Sequence, residues 1–334
     1  MITPWTYRAP LWLPGGHLQT IWASRVAKAV PEQATVPAYV RERWPTPDGD
    51  FIDVDIQYAH HNGQVLAENA APWLVLFHGL EGHSLSPYAR AFAWVAYQKG
   101  WHFAVPHFRG CSGEINHAPR AYHSGDHEEL HWIIQRLRQR AQSALRIAGI
   151  SLGGNALLRW AQAAGHSAQA TASAVCAVCA PLDLMVCGQA LGQGLNRHIY
   201  TRVFLATMKP KALAKLQQFP GLFERDALVR AKTLYEFDDV FTAPLHGFKG
   251  VEDYWCRASS LPALNDIQIP ALVIHARNDP FVPAASIPKP EGLSSHICLW
   301  QPRSGGHVGF TSGKAPGHGL AMPRAVVQWF QSQC

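Results

Sequence analysis

Residues 145–155, with the sequence LRIAGISLGGN, decide the fold of this 334-residue chain. Aliphatic residues in the first half predict a buried strand over 144–150, and a helix is predicted over 153–164 after a very tight turn. The turn carries the pattern G-x-S-x-G, centred on Ser151. Between a strand and a helix this pattern is typical of a nucleophile elbow, whose strained backbone lifts the serine hydroxyl clear of the sheet. We therefore expect Ser151 to be a catalytic nucleophile.

Strand-like and helix-like segments alternate on both sides of this turn. Strands are predicted at 38–44, 51–58, 73–77, 101–108, 144–150, 172–180, 271–276 and 296–301, and helices at 87–99, 126–142, 153–164 and 322–331. The first two strands flank Pro47-Asp48-Gly49 and predict an antiparallel hairpin. Asp126 is predicted to cap its helix together with Glu129. The alternation favours an α/β fold with a mostly parallel sheet and helices on both faces.

The alternation breaks once, over residues 184–264. This stretch is rich in aromatic residues and predicts helical pieces at 213–218 and 226–234. It lies between two predicted strands of the same sheet. We therefore expect a single α/β domain of residues 1–334 with 184–264 as an inserted helical cap or lid.

Composition limits the possible partners and compartments. The net charge is +6, but the basic residues are scattered, so no nucleic-acid partner is predicted. Seven cysteines, an odd number in a long chain, argue against a disulfide framework. Residues 1–5 show no signal peptide, and no apolar run reaches the roughly 18–20 residues of a membrane span. The expected location is cytoplasmic, with peripheral membrane contact left open.

A serine nucleophile needs a base and an acid, which follow it in the order Ser, acid, His in this architecture. His307 lies in the glycine-rich segment 304–310, after the last predicted strand and before the last helix. His318 is the rival, farther from the strand end. Asp279 follows the strand 271–276 and so lies at its carboxyl end. We expect Ser151, Asp279 and His307 to form a catalytic triad.

Two backbone amides are expected to stabilise the oxyanion. One belongs to Leu152, directly after the nucleophile, and the other to Leu80, in the loop after the strand 73–77. Phe281, Val282 and Phe310 flank the triad residues in sequence, and they are candidates for lining an acyl pocket or, equally, for ordinary core packing.

A second motif predicts a different enzyme class. Residues 127–131 read H-E-x-x-H, the pattern of a zinc metalloprotease helix with His127 and His131 as ligands. A catalytic zinc needs a third protein ligand. No Glu follows Glu129 before Glu224, and no Asp occurs from residue 130 until Asp183. The helix is better explained as an amphipathic crossover helix, and no metal site or cofactor is predicted.

Several separated motifs resemble the YheT-like branch of the α/β-hydrolases, which is related to the ABHD-type esterases and lipases. They are LPGGHLQT at 13–20, HGLEG at 78–82, RGCSG at 109–113, PRAYHSG at 119–125, FDD at 237–239 and APLHGF at 243–248. The resemblance extends over nearly the whole chain. It implies hydrolysis of carboxylic esters with short- to medium-chain acyl or lipid-like groups, through an acyl-enzyme on Ser151. The alternative from another class is a non-catalytic ligand-binding protein on the same fold.

Overall fold

The computed structural model describes residues 5–31 and 37–333. The prediction about a signal peptide therefore concerns residues that lie almost entirely outside the described ranges. The described residues contain ten strands, of which eight form one sheet and two form a small hairpin. The strands are β1 Val40–Pro45, β2 Phe51–Gln57, β3 His60–His61, β4 Gln64–Val65, β5 Trp73–Phe77, β6 His102–Pro106, β7 Leu145–Ile150, β8 Ala172–Val178, β9 Ala271–Ile274 and β10 Ile297–Trp300.

The large sheet has the strand order β1-β2-β6-β5-β7-β8-β9-β10. Strands β1 and β2 form the predicted antiparallel hairpin, and β2 also pairs antiparallel with β6. All the remaining pairs are parallel. The loops after β5, β7 and β9 therefore leave the sheet at the same edge. The α/β fold class predicted from the sequence is confirmed.

Helices cover both faces of the sheet, which explains why its central strands read as continuous apolar runs. The helices before the insertion are α1 Gly16–Arg25, α2 Pro87–Gln98, α3 His127–Arg140 and α4 Leu152–Ala164, and α12 Ala321–Gln331 closes the chain. Helices α3 and α4 pack with one buried cluster, and α2 and α12 pack with the other. Every residue of β5 and β7 is buried.

Helices fill the sequence between β8 and β9. They are α5 Leu184–Leu191, α6 Gly194–Asn196, a π-helical turn Arg197–Thr201, α7 Arg202–Gln218, α8 Arg225–Arg230, α9 Leu234–Phe237, a second π-helical turn Asp238–Thr242, α10 Ala243–Leu245 and α11 Val251–Ala258. We call residues 184–264 the helical insert. Its side chains form a third buried cluster together with Phe281, Val282 and Ile287, which follow β9. In the described part of the chain, no helix has the length and apolar character required to cross a membrane.

Asp126 occupies the N-cap position of helix α3, as predicted, but the capping hydrogen bonds expected of Asp126 and Glu129 are wrong. The Asp126 side chain makes no capping hydrogen bond. Its carboxylate instead lies 2.6 Å from Arg120 Nη2, and Glu129 Oε1 lies 2.6 Å from Arg109 Nε. The two arginines come from the loop after β6, and a charged donor competes successfully with a backbone amide for a buried carboxylate.

Candidate active site

Ser151 lies at the turn between β7 and α4, in the strained backbone conformation predicted for it. Its φ and ψ are 52° and −118°. A β-carbon on Gly153 would lie 2.4 Å from the backbone oxygen of His78, and one on Gly149 would lie 2.5 Å from that of Gly153. The strand and the helix approach so closely only because these positions are glycine. The Ser151 N–H donates to Val178 O at 2.8 Å, which fixes the turn against the neighbouring strand.

Ser151, His307 and Asp279 form a continuous hydrogen-bonded chain. His307 Nε2 lies 2.9 Å from Ser151 Oγ, and His307 Nδ1 lies 2.9 Å from Asp279 Oδ2. The Asp279 side chain is fully buried, and that of His307 is 10% exposed. In this arrangement the imidazole can take the serine proton while the carboxylate holds the ring in one tautomer. The rival His318 lies elsewhere, with Nδ1 3.3 Å from Ser312 Oγ.

Backbone donors and an aromatic ring fix the acid and the base. Asp279 Oδ1 accepts the N–H groups of Phe281 at 2.8 Å and Val282 at 3.3 Å. The Phe281 ring stacks on the His307 ring, with 4.0 Å between centroids. The His307 N–H donates to Thr20 Oγ1 at 2.8 Å. The carboxylate and the imidazole are therefore held before any ligand binds.

Hydrogen bonds that the sequence did not predict connect the loop that carries Asp279 with the loop that carries His307. Gln19 Oε1 accepts both Asn278 Nδ2 at 2.9 Å and the Gly305 N–H at 2.8 Å. Asn278 Oδ1 in turn accepts the Gly306 N–H at 3.0 Å. Gln19 is 2% exposed. The motif LPGGHLQT at 13–20 contains Gln19 and had no assigned role, so it was the feature of the sequence that could have indicated this contact.

The loop after β5 carries the second predicted amide. Leu80 and Leu152 line the same cavity as Ser151. Among the residues the structure describes, neither backbone N–H donates to a protein acceptor. Burial lowers the pKa of His78 to about 3, so its neutral ring donates from Nδ1 to Gly79 O and accepts the Phe108 N–H at Nε2. These bonds hold the loop and leave two amides free for a ligand.

The cavity above Ser151 has about 150 Å³ of accessible space and a predominantly apolar wall. The helical insert supplies most of that wall, including Leu184, Leu191, Phe204, Phe237, Phe241 and Trp255. Of the three candidate pocket residues, Phe281 lines the cavity, whereas Val282 and Phe310 are outside its described lining. Val282 packs in the third cluster, and Phe310 packs against Trp5 and Tyr7 in the cluster that also contains residues of α2 and α12.

None of residues 127–131, which carry the H-E-x-x-H pattern, lines the cavity above Ser151. The motif glutamate, Glu128, is exposed, and so is His131, whose Nδ1 accepts the Trp160 Nε1–H at 3.2 Å. Within 5–31 and 37–333, the one group of three metal-type ligands is Cys179 with Asp279 and His307. The last two already bind each other, and the Cys179 thiol accepts the Val308 N–H at 3.4 Å.

The parallel sheet, the strained serine at a strand end and the hydrogen-bonded histidine and carboxylate define an α/β-hydrolase. The family model described as the alpha/beta hydrolase fold matches residues 72–314, and the chain belongs to this family. The Escherichia coli (strain K12) protein YheT, whose name classes it provisionally as an esterase, is 38% identical over 275 residues, 81% of this chain and 78% of that protein. The predicted resemblance is confirmed.

A more distant relative and a solved structure agree with this assignment. Human phospholipase ABHD3 is 26% identical over 329 residues, which are 98% of this chain and 79% of that protein. The structure of the DcsB complex with its substrate analogue superposes with a TM-score of 0.56 at 12% identity and covers 89% of this chain and 99% of that chain. At this sequence identity, the similarity to the DcsB structure shows a shared fold only. The chain is thus a hydrolase of the α/β family.

Proposed function

We propose that the protein is a serine hydrolase that cleaves carboxylic esters through an acyl-enzyme on Ser151. The observation that carries the proposal is the hydrogen-bonded chain from Ser151 through His307 to Asp279, which opens into an apolar cavity. The names of the relatives, an esterase and a phospholipase, support the same class of bond.

The reaction proceeds in two acyl transfers. His307 Nε2 takes the proton of Ser151 Oγ as the oxygen attacks the ester carbonyl carbon, and the Leu80 and Leu152 amides stabilise the oxyanion. The tetrahedral intermediate collapses, the C–O bond to the alcohol breaks, and His307 protonates the leaving oxygen. A water molecule, deprotonated by His307, then attacks the acyl-enzyme and regenerates Ser151. Asp279 stabilises the imidazolium in both steps.

The helical insert acts as the cap that selects the acyl group. Its aliphatic and aromatic side chains supply most of the cavity wall, and burial of a methylene group contributes about 0.8 kcal/mol. A space of about 150 Å³ fits a short to medium acyl chain or one end of a lipid-like ester. We therefore expect kcat/KM for p-nitrophenyl esters to rise with chain length and then fall.

A fluorophosphonate probe tests the nucleophile directly. Wild type and Ser167→Ala, which changes an exposed serine, should both be labelled, and Ser151→Ala should not. Hydrolysis of p-nitrophenyl butyrate should fall at least about 10³-fold in Ser151→Ala. Well-folded wild type that takes up no label would contradict the proposal and support the ligand-binding alternative. If chelators abolished the activity and the Ser151→Ala variant kept it, the metalloprotease alternative would be supported.

A further inference from the structure

Glu81, the residue after Leu80, has an unusual backbone that its own side chain helps to hold. Its φ is +57°, in the left-handed region that non-glycine residues seldom adopt. The Glu81 N–H donates to the Tyr122 hydroxyl oxygen at 3.0 Å, and the same hydroxyl donates to Glu81 Oε1 at 2.8 Å. One phenol thus binds both the backbone and the side chain of Glu81. The orientation of the Leu80–Glu81 segment depends on where this carboxylate is held.

The second partner of that carboxylate comes from the helical insert. Lys211 Nζ, on helix α7, lies 2.8 Å from Glu81 Oε2. In the described part of the chain this is the one ion pair that joins the insert to the rest of the molecule. Other residues of the same helix, Phe204 and Met208, line the cavity. The loop that bears Leu80 is therefore attached to the wall that contacts the substrate.

Within the described part of the chain, Lys211 is the one cationic side chain that forms an ion pair with Glu81, and the Cys111 thiol is a further polar neighbour of both. Cys111 Sγ lies 3.7 Å from Lys211 Nζ and 4.0 Å from Glu81 Oε1. Burial raises the pKa of the Cys111 thiol to about 12, so this neighbour stays neutral. Without Lys211, the Glu81 carboxylate would be an unpaired anion beside the place where an oxyanion forms.

We infer that Lys211 is a positioning residue for the proposed esterase reaction: it acts through Glu81 to hold the Leu80 amide in place and to neutralise a carboxylate close to the developing oxyanion. This inference rests on the proposed function. Its consequence is that the oxyanion site is complete only while helix α7 is seated against the loop after β5. An oxyanion donor is useful only within about 2.7–3.1 Å of the oxygen it stabilises, so a small displacement reduces kcat.

The test compares two lysines of one helix. Lys211→Met should lower kcat for p-nitrophenyl butyrate about tenfold, a part of the 10²–10³-fold lost with a whole donor, and should change KM less than about twofold. Lys211→Arg keeps the charge and should recover most of kcat. Lys209→Met is the matched control, since its Nζ donates to the backbone oxygens of Val229 and Ala231 and not to Glu81. Its kcat should stay within about twofold of wild type.

A double-mutant cycle identifies the route. If Lys211 acts through Glu81, the fold-loss of kcat in the double variant Glu81→Gln/Lys211→Met should be far smaller than the product of the fold-losses in the two single variants. A raised KM with unchanged kcat, or fully multiplicative losses, would overturn the inference. Because the Lys211 side chain is about one-third exposed, the variants should fold. Thermal unfolding of Lys211→Met and Lys211→Arg beside wild type checks this. Fluorophosphonate labelling of wild type separates the two proposals: unlabelled wild type rejects the hydrolase, whereas labelled wild type with unaffected Lys211→Met kinetics rejects only this inference.

Discussion

At Gly153, the closest approach between helix α4 and the loop after β5 leaves no space for a side chain. A β-carbon there would lie 2.4 Å from the His78 backbone oxygen, and backbone cannot move aside as a flexible side chain would. We expect Gly153→Ala to destabilise the protein by about 1–3 kcal/mol, as overpacking typically does. It should also lower fluorophosphonate labelling, because the Ser151 turn must shift.

Urea unfolding followed by circular dichroism measures the first effect. Gly319→Ala is the control, because a β-carbon at this position would have no neighbour within 4 Å. Its free energy of unfolding should change by less than about 0.5 kcal/mol. Equal losses for the two variants would show that the contact with His78 is not the cause.

The residues of the proposed triad were predictable because each follows a strand whose end is visible in the sequence. The Gln19 link to Asn278 and Gly305 was not, because its partners are separated by more than 250 positions and each looks locally unremarkable. For Phe310 the sequence left pocket lining and core packing equally open, and the structure shows core packing. Its φ of 23° follows another positive φ at Val308, so nearness in sequence to His307 gives no guide to the direction of its side chain.

Among the elements, helix α3 and the loop after β6 are joined by a buried charge network rather than by a helix cap. The Arg109 side chain is 3% exposed and lies within 2.8 Å of carboxylate oxygens of Asp48, Asp50 and Glu129. Removing one partner of such a network leaves buried charges without compensation. The network therefore joins the β1–β2 hairpin to α3, a connection that the H-E-x-x-H pattern did not suggest.

Arg109→Met should reduce the free energy of unfolding by about 3–5 kcal/mol. The comparison is Arg225→Met, which removes an ion pair to Asp226 whose side chains are 66% and 74% exposed. An exposed pair contributes about 0–1 kcal/mol. Denaturant midpoints of both variants measure the difference, and similar midpoints would contradict a structural role for the network.

Strand positions followed from the sequence because buried parallel strands are short, apolar and bounded by turns. The helical insert was harder to delimit. Helix α7 begins at Arg202, well before the predicted start at 213, and it contains Pro210. Its apolar residues also follow no single stripe, since Leu205 is buried on one side while Phe204 and Met208 line the cavity. A helix with two apolar faces shows little of the amphipathic period.

For the whole molecule, the dependence of stability on pH should include a contribution from Asp238 in the cavity wall. Burial raises the pKa of this carboxyl to about 6, although Thr242 Oγ1 and Trp255 Nε1 both donate to it. A carboxyl whose pKa is higher in the folded state binds more protons when folded. Its protonation stabilises the fold at low pH, and this contribution is lost as the pH rises from about 4 through 6.

Asp238→Asn removes this titration. Relative to wild type, the variant should gain stability between pH 4 and pH 7 by about 1–3 kcal/mol, reduced from the full buried value because the side chain keeps some accessible surface in the cavity. Urea unfolding of both proteins across that range measures the difference. A difference that stays constant with pH would show that Asp238 has the same pKa in the folded and unfolded chains.

The helical insert enters and leaves the sheet at one narrow neck. The Leu261 N–H donates to Leu182 O at 3.0 Å, and the Leu184 N–H donates to Ser259 Oγ at 2.9 Å, so two ends separated by some 75 residues of chain meet side by side. Strands β8 and β9, which flank the neck, are hydrogen-bonded neighbours. Replacing residues 184–264 at this neck would exchange more than half of the residues that line the cavity, whereas Ser151, Asp279 and His307 lie outside the replaced segment of the chain. Much of the preference for one acyl group over another should therefore be encoded in a single contiguous stretch of sequence, separate along the chain from the proposed catalytic residues.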